Sequence, residues 1–345
     1  MARTSSDSFT MPDEGAPHKC TWMAFIANKT IWSRRQRPAV ERELALIAKT
    51  IARYEPVSLL VPQSHKASAE NLFGASKSAY PILPITCELD DLWLRDTGST
   101  FVRGTNGEKR ALDFNFNGWG NKQMHARDAK VASFIAREAG VDAVSSKLVL
   151  EGGCFEVDGA GTAIMSKSCI VNDNRNPGAT LEEIEAELKR LLGLRKIIWL
   201  EGIAGRDITD GHTDFYARFS SPGQVIVARE NDRLSYDYAV TRENIKTLER
   251  STDADGNALA LTVIDAPTKF SGKYGVSDFA AGYIGYYLCN NAVVMQAFGD
   301  RTADREAFKA VKAAHPDREV VQIAIDAIAS GGGTIHCATQ QEFRL

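Results

Sequence analysis

Short apolar or β-branched stretches alternate with longer amphipathic ones from about residue 20 onward. The short stretches predict strands over Thr21–Ile26, Val57–Val61, Thr100–Arg103, Leu148–Leu150, Cys154–Val157, Ala163–Met165, Lys196–Trp199, Gln224–Ala228, Ala292–Gln296 and Glu319–Ile323. Gly, Pro, Asn or Asp bounds each of them. Apolar positions spaced three and four apart predict helices over Ala39–Tyr54, Met124–Ala139, Leu181–Leu192, Thr241–Arg250 and Asp304–Ala314. Asn176-Pro177-Gly178 reads as a turn, with Thr180 as the N-cap of the helix that follows. Residues 1–12 are polar and are expected to be disordered. Strands outnumber helices, which disfavours a doubly wound sheet, where nearly every crossover needs a helix. The pattern suits small mixed α/β sheets, each backed by a helix, repeated around a centre. The only linker-like piece, STDADG at 251–256, is too short to separate domains, so one α/β domain over 13–345 is expected.

Composition narrows the function without naming it. With 41 basic and 44 acidic residues the formal net charge is −3, and no Lys/Arg block offers a footprint for nucleic acid or anionic lipid. No apolar run approaches the ~20 residues of a membrane span. The six cysteines are scattered without a C-x-x-C pair, and the first twenty residues lack the apolar stretch of a secretory signal. A reducing cytoplasm is therefore expected, in which a thiol stays free for chemistry.

Four clusters could carry that chemistry. Gly331-Gly332-Gly333 stands just before Cys337, and three glycines in a row are costly unless the backbone takes positive φ or something approaches it closely. A cysteine on a short β-like stretch after them would lie at the edge of a tight pocket, although most cysteines are simply buried hydrophobes. In Gly211-His212-Thr213-Asp214 a strand would point His212 and Asp214 to one face, where they could serve proton transfer and cation binding. In Trp93-Leu94-Arg95-Asp96 the carboxylate could grip a guanidinium and the indole could cover a cation. The competing reading puts Trp93 in the core, with Asp96 capping a turn or paired with Arg95. Glu151-Gly152-Gly153 sets a carboxylate at a strand end, where backbone meets a ligand or merely turns. Taken singly, each cluster is more often structural than functional.

Their order changes the balance. MPDEGAPHKCTWMAF, DLWLRDTGSTFV, FNFNGWG, EGG with VDGAGTAI, NRNP, TDGHTDF and GGGTIHCATQQ follow one another from residue 11 to 341. In this the chain resembles the agmatine deiminase branch of the guanidino-group-modifying enzymes. The GGG-x-IHC-x-TQQ ending and the RDTG segment are the specific pieces. The resemblance implies a pentein fold, a five-bladed α/β propeller of ββαβ modules around a pocket. It implies Cys337 as nucleophile, His212 as acid and base, Asp96 and Asp214 as guanidinium-binding carboxylates, Glu151 orienting His212, and Trp93 in the pocket wall. His336, read as an adjacent strand residue, would point away from the pocket. The implied reaction converts a guanidine to a urea plus ammonia through a thiouronium on sulfur, with no metal or organic cofactor. The implied partner is a small cationic guanidine, with a homo-oligomer allowed.

Four positions depart from the family pattern. Ile208 replaces an acid, Phe215 and Thr334 each replace Asn, and Arg218 stands where small or apolar residues are common. Loss of an acid and gain of a base near the pocket would suit a substrate whose far end is neutral or anionic. Peptidyl-arginine deiminase, amidinotransferase and catalytically silent binding protein remain as alternatives on the same scaffold.

Overall fold

Leu181–Leu192 forms a helix with the predicted limits because its ends are written into the sequence. Thr180 and Glu183 make a reciprocal capping box, and Gly193 closes the helix at φ 71°. The computed structural model describes residues 8–74, 77–270, 272–274 and 279–345.

Among the described residues seventeen strands sort into five mixed sheets, and one motif recurs in them. An antiparallel pair is followed by a helix and then by a parallel strand. The first sheet holds β2 (His18–Ala24), β3 (Val57–Val61) and β4 (Ile82–Thr86), with the helix Arg37–Ile51 between β2 and β3. The second runs β5 (Thr100–Gly104), β6 (Lys109–Asp113), helix Val131–Ala139, β7 (Asp142–Ser145). Its outer edge is covered by β1 (Phe9–Thr10). The third runs β8 (Phe155–Val157), β9 (Thr162–Ser166), helix Leu181–Leu192, β10 (Lys196–Leu200). The fourth runs β11 (Ala217–Ser221), β12 (Gln224–Arg229), helix Asp237–Glu249, β13 (Ala260–Asp265). The fifth runs β14 (Tyr287–Cys289), β15 (Ala292–Ala297), helix Arg301–Ala314, β16 (Glu319–Ala324). Finally β17 (Thr339–Phe343) returns to pair antiparallel with β2, giving the first sheet its hairpin partner from the far end of the sequence.

Several expectations need correction. Residues 1–7 lie outside the described residues, but order begins before residue 13: Phe9 is buried and β1 pairs with β5. Leu148–Leu150 is not a strand. Its backbone groups go elsewhere, Leu150 N to Phe114 O and the Leu148 carbonyl to the Asn115 amide. The helix expected from Met124 starts only at Val131. Ahead of it, Asp90 and Asp128 cross-bond each other's loops, with Arg127 N donating to Asp90 and the Asp90 and Asp91 amides donating to Asp128. Such Asp-to-backbone bonds compete directly with helical ones.

Candidate active site

Asp96 lies in the single helical turn Leu94–Thr97, next to the nucleophile candidate in space. The amide of Arg95 donates to the Cys337 carbonyl at 3.0 Å, tying the two segments together. Asp96 Oδ2 accepts from Trp119 Nε1 at 3.0 Å and Oδ1 from the Gly153 amide at 3.3 Å. Delivering that indole takes an unusual backbone: Trp119 itself sits at φ 55°, within a left-handed run that includes Gly118 and Gly120. Non-glycine residues enter this region at a cost, so the loop is held by its contacts.

Glu151 is fully buried and serves as a hub. Arg175 Nε donates to both its oxygens, at 2.9 and 3.0 Å, while Cys154 Sγ and His212 Nε2 reach Oε2 at 3.0 and 3.1 Å. Arg175 continues to Asp210 at 2.8 Å, and Asp210 to Lys122 at 2.6 Å. Since a carboxylate only accepts, His212 Nε2 is a donor, and Nδ1 is the nitrogen left for chemistry. Nδ1 lies 3.8 Å from Asp96 Oδ1. A side chain at residue 153 would collide with Nδ1 at 2.4 Å, so only glycine lets the ring approach this closely.

Asp214 Oδ2 accepts from His336 Nδ1 at 2.7 Å and lies 3.9 Å from Cys337 Sγ. Its other oxygen, Oδ1, is buried without a hydrogen-bond partner. A buried carboxylate oxygen without a donor is costly, and a planar cation with two N–H edges would satisfy it. Cys337 sits in a turn whose Thr334 hydroxyl is 3.5 Å from the sulfur. The preceding glycines behave as their sequence predicts. Gly332 has φ 88°, and a Cβ on Gly331 or Gly333 would strike the Trp32 or Trp93 ring at 2.0 or 2.2 Å. Trp93, only 6% exposed, thus packs against Gly333 in the segment that leads to Cys337.

The electrostatics follow from burial and three nearby acids. Burial pushes the Asp96 carboxyl up to about 6; Glu151 and Asp214 add to this and His212 opposes it. For Asp214 burial also acts upward, but the His336 bond and charge outweigh it and hold the group below its ordinary value. Burial raises the Cys337 thiol well above the ordinary range, helped by Asp214 and Asp96 and opposed by Thr334. Burial alone would lower His212; the Cys154 sulfur, Asp96 and Glu151 reverse that and raise it well above the usual imidazole value. The site is therefore built as a neutral thiol and a protonated imidazole among buried acids, one of whose oxygens, Asp214 Oδ1, has no hydrogen-bond partner.

All six residues singled out in the sequence meet here, but three geometric expectations do not hold. His212 and Asp214 are in a 3-10 turn, Thr213–Phe215 with His212 as its N-cap, rather than on a strand. Cys337 is likewise in a turn rather than on a β-stretch, which lets His336 face inward against Asp214 instead of away. Arg95 pairs with Glu14 rather than Asp96. Arg218 is fully buried and bonded to Glu14 and Glu156 at 3.0 and 2.7 Å, so its charge is matched and the expected extra base at the pocket is absent. Glu14, Trp119, Cys154 and Arg175 escape sequence reasoning altogether. Their signal is membership in MPDEG, FNFNGWG, EGGC and NRNP, segments without reactivity of their own. Glu151, Cys154 and His212 also bring ligating atoms within 4.8 Å of one another, but Arg175 already occupies both oxygens of that carboxylate.

The model of the Porphyromonas-type peptidyl-arginine deiminase family matches residues 10–342. The agmatine deiminase of Stutzerimonas stutzeri is 36% identical over 364 aligned positions, covering 97% of this chain and 96% of that one. The solved agmatine deiminase of Enterococcus faecalis superposes with a TM-score of 0.89 at 30% identity, over 97% of this chain and 96% of the other. A dimethylarginine dimethylaminohydrolase structure, at 11% identity and a TM-score of 0.52 over 94% of this chain and all of that one, shares the fold. No helix among the described residues is long and apolar enough to cross a membrane.

Proposed function

Since the chain belongs to the Porphyromonas-type peptidyl-arginine deiminase family, we propose that it hydrolyses a small guanidine, agmatine first among the candidates, to the ureido compound and ammonia. The observation that carries this reading is the orphan Oδ1 of Asp214, a carboxylate whose other oxygen is 3.9 Å from Cys337 Sγ. Guanidinium is resonance-stabilised and a poor electrophile. Two carboxylates, Asp96 and Asp214, fix its plane and leave the central carbon facing sulfur. Arrival of the cation offsets the acids that raise the Cys337 thiol, so its proton is released as substrate enters. The thiolate adds to carbon, and His212 hands its proton to the departing nitrogen. Ammonia leaves, and an S-alkylthiouronium remains on Cys337. Glu151, held by Arg175, keeps the His212 ring aligned. The now neutral imidazole takes a proton from water, whose oxygen adds to the same carbon; the C–S bond breaks and the ureido product departs.

The five sheets, β1 included, form five blades around this pocket in our reading, as one catalytic unit. The near-complete burial of Asp96, Cys337 and His212 favours a slender guanidine over a peptide arginine. Ile208 and Phe215 are half-buried apolar residues packed against the cluster that holds Trp93 and Cys337. They offer no acid to a substrate's far ammonium. Ammonia release from agmatine, free arginine, a blocked arginine peptide and simple alkylguanidines tests the proposal. Turnover of none of them, by protein whose Cys337 reacts with iodoacetamide, would refute it. Turnover led by alkylguanidines would keep the reaction and change the substrate.

A further inference from the structure

We propose that His336 is a positioning residue for this reaction, gripping Asp214 so that its free oxygen meets the substrate plane in one orientation. The inference rests on the guanidine reading above, but its geometry lies beneath the pocket. His336 is buried, with Nδ1 2.7 Å from Asp214 Oδ2 and Nε2 2.7 Å from Glu14 Oε2. Both partners are carboxylates, so the ring bridges two acids with one nitrogen on each. Glu14 is fixed in turn. Its Oε2 also accepts from Arg95 at 3.0 Å and is ion-paired with Arg218 at 3.0 Å, and its Oε1 accepts from the Leu288 amide at 2.8 Å. Arg218 bonds Glu156, whose carboxylate is also 3.8 Å from His336 Nε2. Three acids (Glu14, Glu156, Asp214) thus face two guanidinium groups (Arg95, Arg218) and the His336 ring.

Within this layer the tight donor to Asp214 is the His336 ring, with the Cys337 thiol farther off at 3.9 Å from the same oxygen. His336 occupies Oδ2, leaving Oδ1 as the one acceptor still open. Arg95 adds a second tie, with its Nε 3.4 Å from the His336 carbonyl and its amide on the Cys337 carbonyl. One side chain therefore links the segment that bears Asp96, the turn that bears the nucleophile, and, through Glu14, the anchor of Asp214. Without His336, Asp214 would keep its charge and attract the guanidinium but would rotate. A rotated carboxylate spoils alignment at carbon more than it weakens binding.

The test is a pair of isosteric substitutions. An Asn amide can take the place of Nδ1–H, and a Gln amide that of Nε2–H. His336→Asn keeps a donor for Asp214; His336→Gln keeps one for Glu14 only. Positioning predicts that His336→Gln lowers kcat about 100-fold with KM moved less than about fivefold, while His336→Asn stays within about tenfold of wild type. A merely structural ring, needed for the Glu14 network, predicts the reverse ranking. A second readout is independent of how much protein folds: the rate constants for Cys337 alkylation by chloroacetamidine, a planar cation, and by iodoacetamide, a neutral amide. His336→Gln should lower the amidine-to-amide rate ratio about tenfold or more. Equal ratios in wild type and both variants, or a Gln variant more active than the Asn one, would overturn the assignment. If wild type itself releases no ammonia from any guanidine, the reaction reading has failed instead.

Discussion

Two buried histidines in this molecule each stand between two carboxylates, and the difference between them separates a moving proton from a fixed one. His336 is tight on both sides, at 2.7 Å to Asp214 and 2.7 Å to Glu14. His212 is bonded on one side, at 3.1 Å to Glu151, and slack on the other, where Asp96 is 3.8 Å away. A proton held between two good acceptors stabilises its surroundings and goes nowhere. One that faces a gap can be given to a leaving group and recovered from water. In the proposed reaction the same residue type would supply rigidity in one layer and acid-base chemistry in the next, with the spacing of its acids deciding which.

That contrast can be broken in graded ways. Replacing the sulfur is the largest: Cys337→Ser should reduce ammonia release at least about a thousandfold, measured as initial rate per folded molecule. His212→Gln should cost nearly as much, about a thousandfold in kcat, and a rate near wild type would remove the proton shuttle from the scheme. Glu151→Gln leaves both rings in place but loosens the bonded side of His212, for an expected loss of about 100-fold; an effect confined to KM would contradict an orienting role. Acidity comes next. Asp96 must be ionised to hold a guanidinium and is raised to about 6, so kcat/KM should fall as pH drops through about 6. An acid limb that begins only near the ordinary carboxylate range would show that Asp96 is not the limiting group. The smallest effect is expected from Cys154→Ala. Its thiol reaches Glu151 Oε2 alongside Arg175 and His212, and a loss above about fivefold would mean that the sulfur does more than share that oxygen.

The reactive residues were legible in sequence because their segments are distinctive strings, and five of the six predicted functional side chains touch at least one other member of the set. Only Trp93 is placed through a glycine neighbour. What supports them was not legible. Glu14 reaches His336 across most of the chain, and Arg175 reaches Glu151 from a loop without reactivity, so both depend on packing that no local pattern encodes. Strands show the same limit. Val57–Val61 is apolar but for Ser58 and has the limits its pattern predicts. β17 reads as polar TQQEF yet is buried throughout. Most of its polar groups are satisfied internally: the Gln340 Nε2 amide by the Ser99 carbonyl, and Glu342 by Lys19, Lys109 and the Trp22 indole, while Gln340 Oε1 has no hydrogen-bond partner. Burial there follows hydrogen-bond supply, which hydropathy cannot report. β7, by contrast, is an exposed edge strand with too little apolar surface to announce itself.

The pairing of β17 with β2 has a consequence for how this protein comes into being. Phe343 lies opposite His18 and Thr339 opposite Met23, so the ladder joins stretches far apart in sequence. Contacts this distant form late, because the intervening chain must be ordered before their closure is favourable. Cys337 enters its turn only as that ladder zips. A half-made or half-unfolded molecule therefore carries an idle sulfur, and hydrolytic power arrives in one step with the completed ring of contacts.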